Sequence, residues 1–185
     1  MLERQNIESE PTQWYAMRAT YRRELTVKSL LDINQIESFV PMHHVIKEGK
    51  RGRKIRVYEP VIHNLIFINT SKSKLQSIKQ KLPYLQYITE KRDGESKPII
   101  VPEKQMNDFI AVSKSDDKCL QYVSPCDLEL SEGTKIKIHG GAFDGVEAIF
   151  VRMKGHRKKS IVISIDNVIA ITKLTDNNEV IEVLS

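Results

Sequence analysis

Residues 131–155 read SEGTKIKIHGGAFDGVEAIFVRMKG and hold five of the chain's eight glycines: Gly133, Gly140, Gly141, Gly145 and Gly155. Around them the residues alternate as a strand does, with Ile136 and Ile138 on one face and Lys135 and Lys137 on the other. Glycine between strands supplies a positive φ and lets backbones approach closely. Two strands joined through residues 139–145 therefore make a small, tightly turned β-unit, either a plain hairpin or part of a nucleic-acid-binding barrel.

Downstream, seven of the eleven residues from Ile161 to Ile171 are Ile or Val, a composition that favours strand and disfavours helix, because β-branched side chains lose χ1 freedom in a helix. Several short strands with turns in about 50 residues predict a small all-β barrel over residues 131–185. Upstream, residues 113–130 break the periodicity and reverse the charge, with 2 Lys/Arg against 4 Asp/Glu, and read as a linker. Residues 1–12 are polar, end near Pro11 and read as a disordered tail.

Between tail and linker, residues 13–112 carry two kinds of pattern. WYAMRATY (14–21), IESFVPMHHVI (36–46), VYEPVIHNLIFIN (57–69) and residues 84–101 read as strands, with a turn at Asp93-Gly94. Val27, Leu30, Leu31 and Asn34 follow the helical spacing, as do Leu75, Ile78 and Leu82 after a Ser start. A third helix opens at Pro102 and buries Met106, Phe109 and Ile110. The order β-α-β-β-α-β-β-α predicts an α+β domain, an antiparallel sheet with helices on one side.

The totals narrow the function. The net charge is +5, and residues 1–112 supply the surplus with 19 Lys/Arg against 13 Asp/Glu, which makes a polyanion a plausible partner. No apolar run approaches the ~20 residues of a membrane span, and the first residues lack a signal-peptide pattern, so a cytoplasmic protein is expected, without membrane contact. Cys119 and Cys126 lack metal-finger spacing and read as free thiols. His43, His44, His63, His139 and His156 are scattered, with no carboxylate–cysteine set to complete a metal site, so neither metal nor cofactor is expected. Phosphate-binding loops, nucleophile elbows and paired carboxylates are missing; enzyme activity is not expected.

The pattern formed by Gly133, Ile136, Ile138, Gly141, Phe143, Gly145 and Val151 resembles the KOW motif of NusG-type transcription factors and some ribosomal proteins, with Ala142 and Ala148 departing from its usual proline and glycine. Upstream, WYAMRATYRRE, FVPM and EPVIHNLIFI look like the signature strands of the NusG N-terminal domain. Two NusG-like pieces in that order are more specific than either alone. Ile62-His63-Asn64-Leu65, where NusG usually reads Phe-Pro-Gly-Tyr, together with the Gly140-Gly141 pair and VRMKG, looks most like the UpxY-type paralogues that act on capsular polysaccharide operons.

The resemblance implies a transcription elongation or antitermination factor that binds RNA polymerase and suppresses pausing or premature termination. By that resemblance Phe67, Leu65 and Ile62 would meet the polymerase. Arg18, Arg22 and Arg23 would lie toward non-template DNA. Lys50, Arg51, Arg53 and Lys54, in the basic KEGKRGRKIR stretch, would sit at a hairpin tip near upstream DNA, where lysine and arginine neutralise phosphates. Arg152, Lys154, Arg157, Lys158 and Lys159 would form a basic loop of the barrel, whose partner in the family is a ribosomal protein or Rho. A monomer is expected. The alternative is a KOW-type ribosomal or RNA-binding protein acting without RNA polymerase.

Overall fold

The computed structural model describes residues 10–115, 120–123, 133–152, 159–165, 168–174 and 180–184. The chain divides into two compact units, residues 1–40 with 63–100 and residues 41–62 with 101–185. In chain order the first part runs β1 (Gln13–Ala19), α1 (Glu24–Ile33), β2 (Ser38–Phe39), β3 (Met42–Glu48), β4 (Lys54–Pro60), β5 (Leu65–Thr70), α2 (Lys72–Lys81) and β6 (Leu85–Tyr87). It continues with β7 (Thr89–Arg92), β8 (Glu95–Pro98), β9 (Ile100–Val101) and α3 (Glu103–Ser113). The second part is all strand: β10 (Gln121–Val123), β11 (Thr134–His139), β12 (Glu147–Arg152), β13 (Lys159–Ile165), β14 (Ile169–Leu174) and β15 (Val180–Val183).

The first unit is organised on β1. Its sheet runs β2-β5-β1-β6, with β9 also pairing β1, and β1 pairs antiparallel with both β5 and β6. Trp14, Tyr15, Ala16 and Met17 are consecutive and all buried, as are Leu65, Ile66, Phe67 and Ile68. Runs without polar alternation are what a strand buried on both faces requires. The sequence predicted helices on one side of the sheet; the two central strands are buried on both faces. Phe67 pairs with Ala16 on β1 and with Phe39 on β2, so a small residue sits across from the large ring in a closely packed interior.

Pro41 explains why the expected strand over residues 36–46 is two strands. Proline has no N–H to give a ladder, and β2 ends before it while β3 begins after it. The expected strand over residues 57–69 is likewise broken, because Asn64 takes a positive φ of 69° between β4 and β5. Asparagine tolerates that left-handed conformation better than most residues. The Asp93-Gly94 turn is as read: both residues have positive φ, 54° and 80°, which suits a tight two-residue hairpin between β7 and β8. On α1 the buried side chains are Glu24, Val27 and Leu31, while Leu30 is 38% exposed and Asn34 lies beyond the helix.

The second unit contains the β3–β4 hairpin, α3 and a six-stranded antiparallel sheet of order β10-β14-β13-β12-β11-β15. Among the described residues no ladder joins β10 to β15, and this mostly-β region fits a KOW-like domain. The Ile/Val-rich stretch forms β13 and β14, which pair from Ser160–Leu174 to Ile165–Ile169, and no helix occurs among the described residues of 133–184 beyond a 3-10 turn at Gly141–Phe143. Helix α3 packs against β13 and that turn, and its buried side chains are Met106, Phe109 and Val112; Val112, rather than the expected Ile110, completes the buried stripe. Asp108 ties α3 to β12 by accepting from the Glu147 N–H at 3.2 Å, and Lys104 bridges Asp108 and Glu147 at 3.0 and 3.2 Å. The Asp108 hydrogen bond, ahead of the others, raises the Lys104 pKa.

Candidate functional site

The first basic cluster lies at the β1–α1 turn. Tyr21 and Arg22 both have positive φ, 63° and 55°, a conformation that costs side-chain-bearing residues energy and persists only where the surroundings hold it. The holding groups come from Asn64. Its side-chain oxygen accepts from the Arg22 N–H at 2.8 Å, and its carbonyl accepts from the Ala19 N–H at 2.8 Å. Arg18, Arg22 and Arg23 are all exposed. The Arg23 guanidinium lies 4.5 Å from the Tyr84 ring centroid and 5.9 Å from that of Tyr21, within cation–π range, and Tyr21 is 83% exposed. The turn therefore offers three cations and an open aromatic face, a combination suited to phosphate and base.

The end of α1 works differently from a bare phosphate site. Glu24 occupies its first turn, only 2% exposed, and its Oε1 lies 3.3 Å from His63 Nδ1. A carboxylate there already answers the positive end of the helix dipole, so exposed arginines, rather than the helix end, are what attract an anion. Tyr21, Tyr84 and the Glu24–His63 pair were missed in the sequence. Tyr21 adjoins the arginines and was legible as an aromatic beside a basic turn; Tyr84 and His63 are brought in by tertiary structure.

The second cluster is the tip of the β3–β4 hairpin. A 3-10 turn at Lys50–Gly52 caps it, with Arg51 at φ 65° and Gly52 at φ 70°, and Gly49 N–H donates to the Arg53 carbonyl at 2.7 Å. A Cβ on Gly49 would meet that carbonyl oxygen at 3.2 Å, so any larger residue there presses on the narrow neck. Arg51, Arg53 and Lys54 are exposed. Lys50 belongs to the turn by its backbone.

The polymerase candidates sit in less open places. Leu65 is 3% exposed and Phe67 0%, on β5, and Ile62 is half-buried in the bend after β4. In the C-terminal sheet, Gly140, Gly141 and Gly145 have positive φ of 82°, 70° and 82°, and Gly133 directly precedes β11. Gly145 N–H donates to the Ile138 carbonyl at 2.8 Å and Ile138 N–H to Val146 at 3.0 Å, closing the β11–β12 connection. Phe143 is 2% exposed, with Lys173 Nζ 4.6 Å from its ring centroid. Ala148 pairs with Ile136 inside the β11–β12 ladder, so alanine stands there in ordinary strand. Cys119, Cys126, His156 and the basic residues Lys154, Arg157 and Lys158 lie outside the described residues; Arg152 and Lys159 pair by their backbones at the ends of β12 and β13.

A family model described as "Transcription termination factor nusG" matches residues 12–110, just over half of the chain. The chain belongs to the NusG family. Its members are transcription factors, and the α+β and mostly-β units described above fit that family's fold. A solved structure described as "Domain interaction in Thermotoga maritima NusG" is 14% identical, covers 94% of this chain and 93% of that one, and has a TM-score of 0.40. A comparison with curated proteins found no match. Among the described residues, no helix is long and apolar enough to cross a membrane, and no three His, Cys, Asp or Glu side chains gather as a metal site would need.

Proposed function

We propose that the protein binds RNA polymerase as a transcription elongation factor and suppresses pausing or premature termination, at polysaccharide operons in the manner of UpxY-type paralogues. Family membership over residues 12–110 supports this reading, as does the grouping of Arg18, Arg22 and Arg23 around a single strained turn. In this reading Leu65 and Phe67, with Ile62 beside them in sequence, meet the polymerase. The arginines of the β1–α1 turn face non-template DNA, and Lys50, Arg51, Arg53 and Lys54 face upstream DNA. The KOW-type sheet recruits a second partner, a ribosomal protein or Rho. The factor acts as a cytoplasmic monomer by clamping the elongation complex, with no chemistry and no cofactor of its own.

Because Phe67 has no exposed surface, it meets a partner only after it is uncovered, and Phe67→Ala would confuse lost binding with a lost core. Ile62→Glu, at a half-buried position outside any strand, is the better probe. The expected result is stoichiometric binding of the wild type to core polymerase from its own host, resistant to competing naked RNA and weakened at least 10-fold by Ile62→Glu with an unchanged circular-dichroism spectrum. Absence of polymerase binding by the wild type overturns the reading, and binding of RNA alone would leave the KOW-type RNA-binding alternative.

A further inference from the structure

The β3–β4 hairpin, from Met42 and Tyr58 up to Lys54, forms one wall of a cleft of about 740 Å³. Pairing within the hairpin sets His44 opposite Tyr58, Ile46 opposite Arg56 and Glu48 opposite Lys54. Because side chains alternate across a strand, Lys54, Arg56 and Tyr58 share one face of β4 and stand about 6.5–7 Å apart in succession. All three are exposed, Tyr58 by 58%. The His44 and Tyr58 rings pack with centroids 4.7 Å apart, which holds the tyrosine ring in place without covering it. The facing wall supplies Lys114, Leu120 and Tyr122. Tyr122 shares a hydrogen bond with Ser113, Oγ to hydroxyl at 3.0 Å, and its ring stands T-shaped to that of His43, centroids 6.2 Å apart.

The charge of the cleft's described lining is one-sided, with Glu48, across from Lys54, outside that lining. Among the described residues that line it there is no carboxylate, and there are three Lys or Arg side chains, Lys54, Arg56 and Lys114. Positive charge along a groove with aromatic faces interleaved is the chemistry that holds a single-stranded nucleic acid, its phosphates on the cations and its bases on the rings. An acidic peptide would use the cations and leave the ring face unexplained. The volume falls within the ~300–1,000 Å³ of sites for small organic groups, room for a nucleotide or two. The Ser113–Tyr122 hydroxyl pair retains a spare donor and spare acceptor sites, which match a 2′-hydroxyl, itself donor and acceptor.

We infer that this cleft is a binding site for single-stranded RNA, with Tyr58 as its stacking platform and Lys54, Arg56 and Lys114 as its phosphate contacts. The site shares Lys54 with the hairpin-tip cluster but is built on the strand face behind it, without the arginines of the β1–α1 turn, and it stands whether or not the protein binds polymerase, since the free protein suffices to test it. Fluorescence anisotropy with a labelled mixed-sequence RNA octamer, titrated with the full chain, reads it directly. Tyr58→Ala is expected to weaken binding by about 5- to 150-fold, the range for losing one stacked base, while Tyr58→Trp retains it. Arg56→Ala is expected to lower the slope of log K against log salt by about 0.7. Tyr58 and Arg56 are exposed, and unchanged circular dichroism separates lost binding from lost fold. No RNA binding, or binding indifferent to Tyr58→Ala, overturns the site. Equal affinity for a DNA octamer of the same sequence overturns its assignment to RNA, and displacement by polyglutamate as effective as by unlabelled RNA shows a peptide groove instead.

Discussion

Glu24 is the residue whose place the helical pattern gets wrong. A charged residue at the start of an amphipathic helix is ordinarily surface, yet here it is 2% exposed, with Oε1 facing His63 and Oε2 lacking a partner among the described residues. A buried carboxylate is costly to leave half-satisfied, whereas replacing it with an apolar side chain of similar volume is often neutral or better. The expected outcome is therefore asymmetric. His63→Ala, which strips the carboxylate of its partner, should lower stability by about 1–3 kcal/mol in chemical denaturation; Glu24→Leu should leave it unchanged or higher. Equal losses from both would show that the pair is net stabilising instead. The glycines of the turn in 139–145 are the opposite case, legible from sequence: Gly140, Gly141 and Gly145 stand at positive φ with open space where a Cβ would go, so backbone conformation alone demands them.

At the scale of elements, α2 shows how a residue far away in sequence is recruited to a helix end. Ser71 caps it, its hydroxyl accepting from the Lys74 N–H at 3.4 Å, and Glu10 reaches the same turn, accepting from the Ser73 N–H at 3.2 Å and from the Ser73 hydroxyl. The Ser start was legible as a cap; the Glu10 contact spans 63 residues and was not. The Ser73 side-chain bond, then its backbone bond, lowers the Glu10 pKa below its ordinary 4.5. A depressed carboxylate stabilises the fold above its unfolded pKa and loses that contribution as pH falls through the folded value. Melting curves of the wild type and Glu10→Gln should differ at neutral pH and converge as pH drops below about 4.5. A gap that persists in acid would show that Glu10 acts by something other than its charge. Strand breaks follow the same division: Pro41 announces the gap between β2 and β3, while Asn64 became a break because the turn it closes is held by residues 19 and 22.

For the whole molecule, the two compact units do not follow chain order, since the β3–β4 hairpin and α3 belong with the C-terminal sheet. The interior of the first unit is anchored by Phe67, with Ala16 and Phe39 as its ladder partners. Phe67→Ala should cost about 3–5 kcal/mol, a large share of the ~5–15 kcal/mol that holds a domain together. Guanidinium unfolding with a lower midpoint and unchanged m would report it; a change under about 1 kcal/mol would mean that the site collapses to fill the void. The sequence by itself determined the three helices, most of the strand-forming stretches, the glycine turns and the places of the basic clusters along the chain. Those depend on local periodicity, on backbone preference and on motif spacing, which neighbours in sequence carry. Only the tertiary structure decided that β1 and β5 are buried on both faces, that Leu30 is exposed while Glu24 is not, and that Tyr58, Arg56, Lys114 and Tyr122 line one cleft. Burial and convergence of side chains are set by what packs from distant parts of the chain, and no window of residues contains that information.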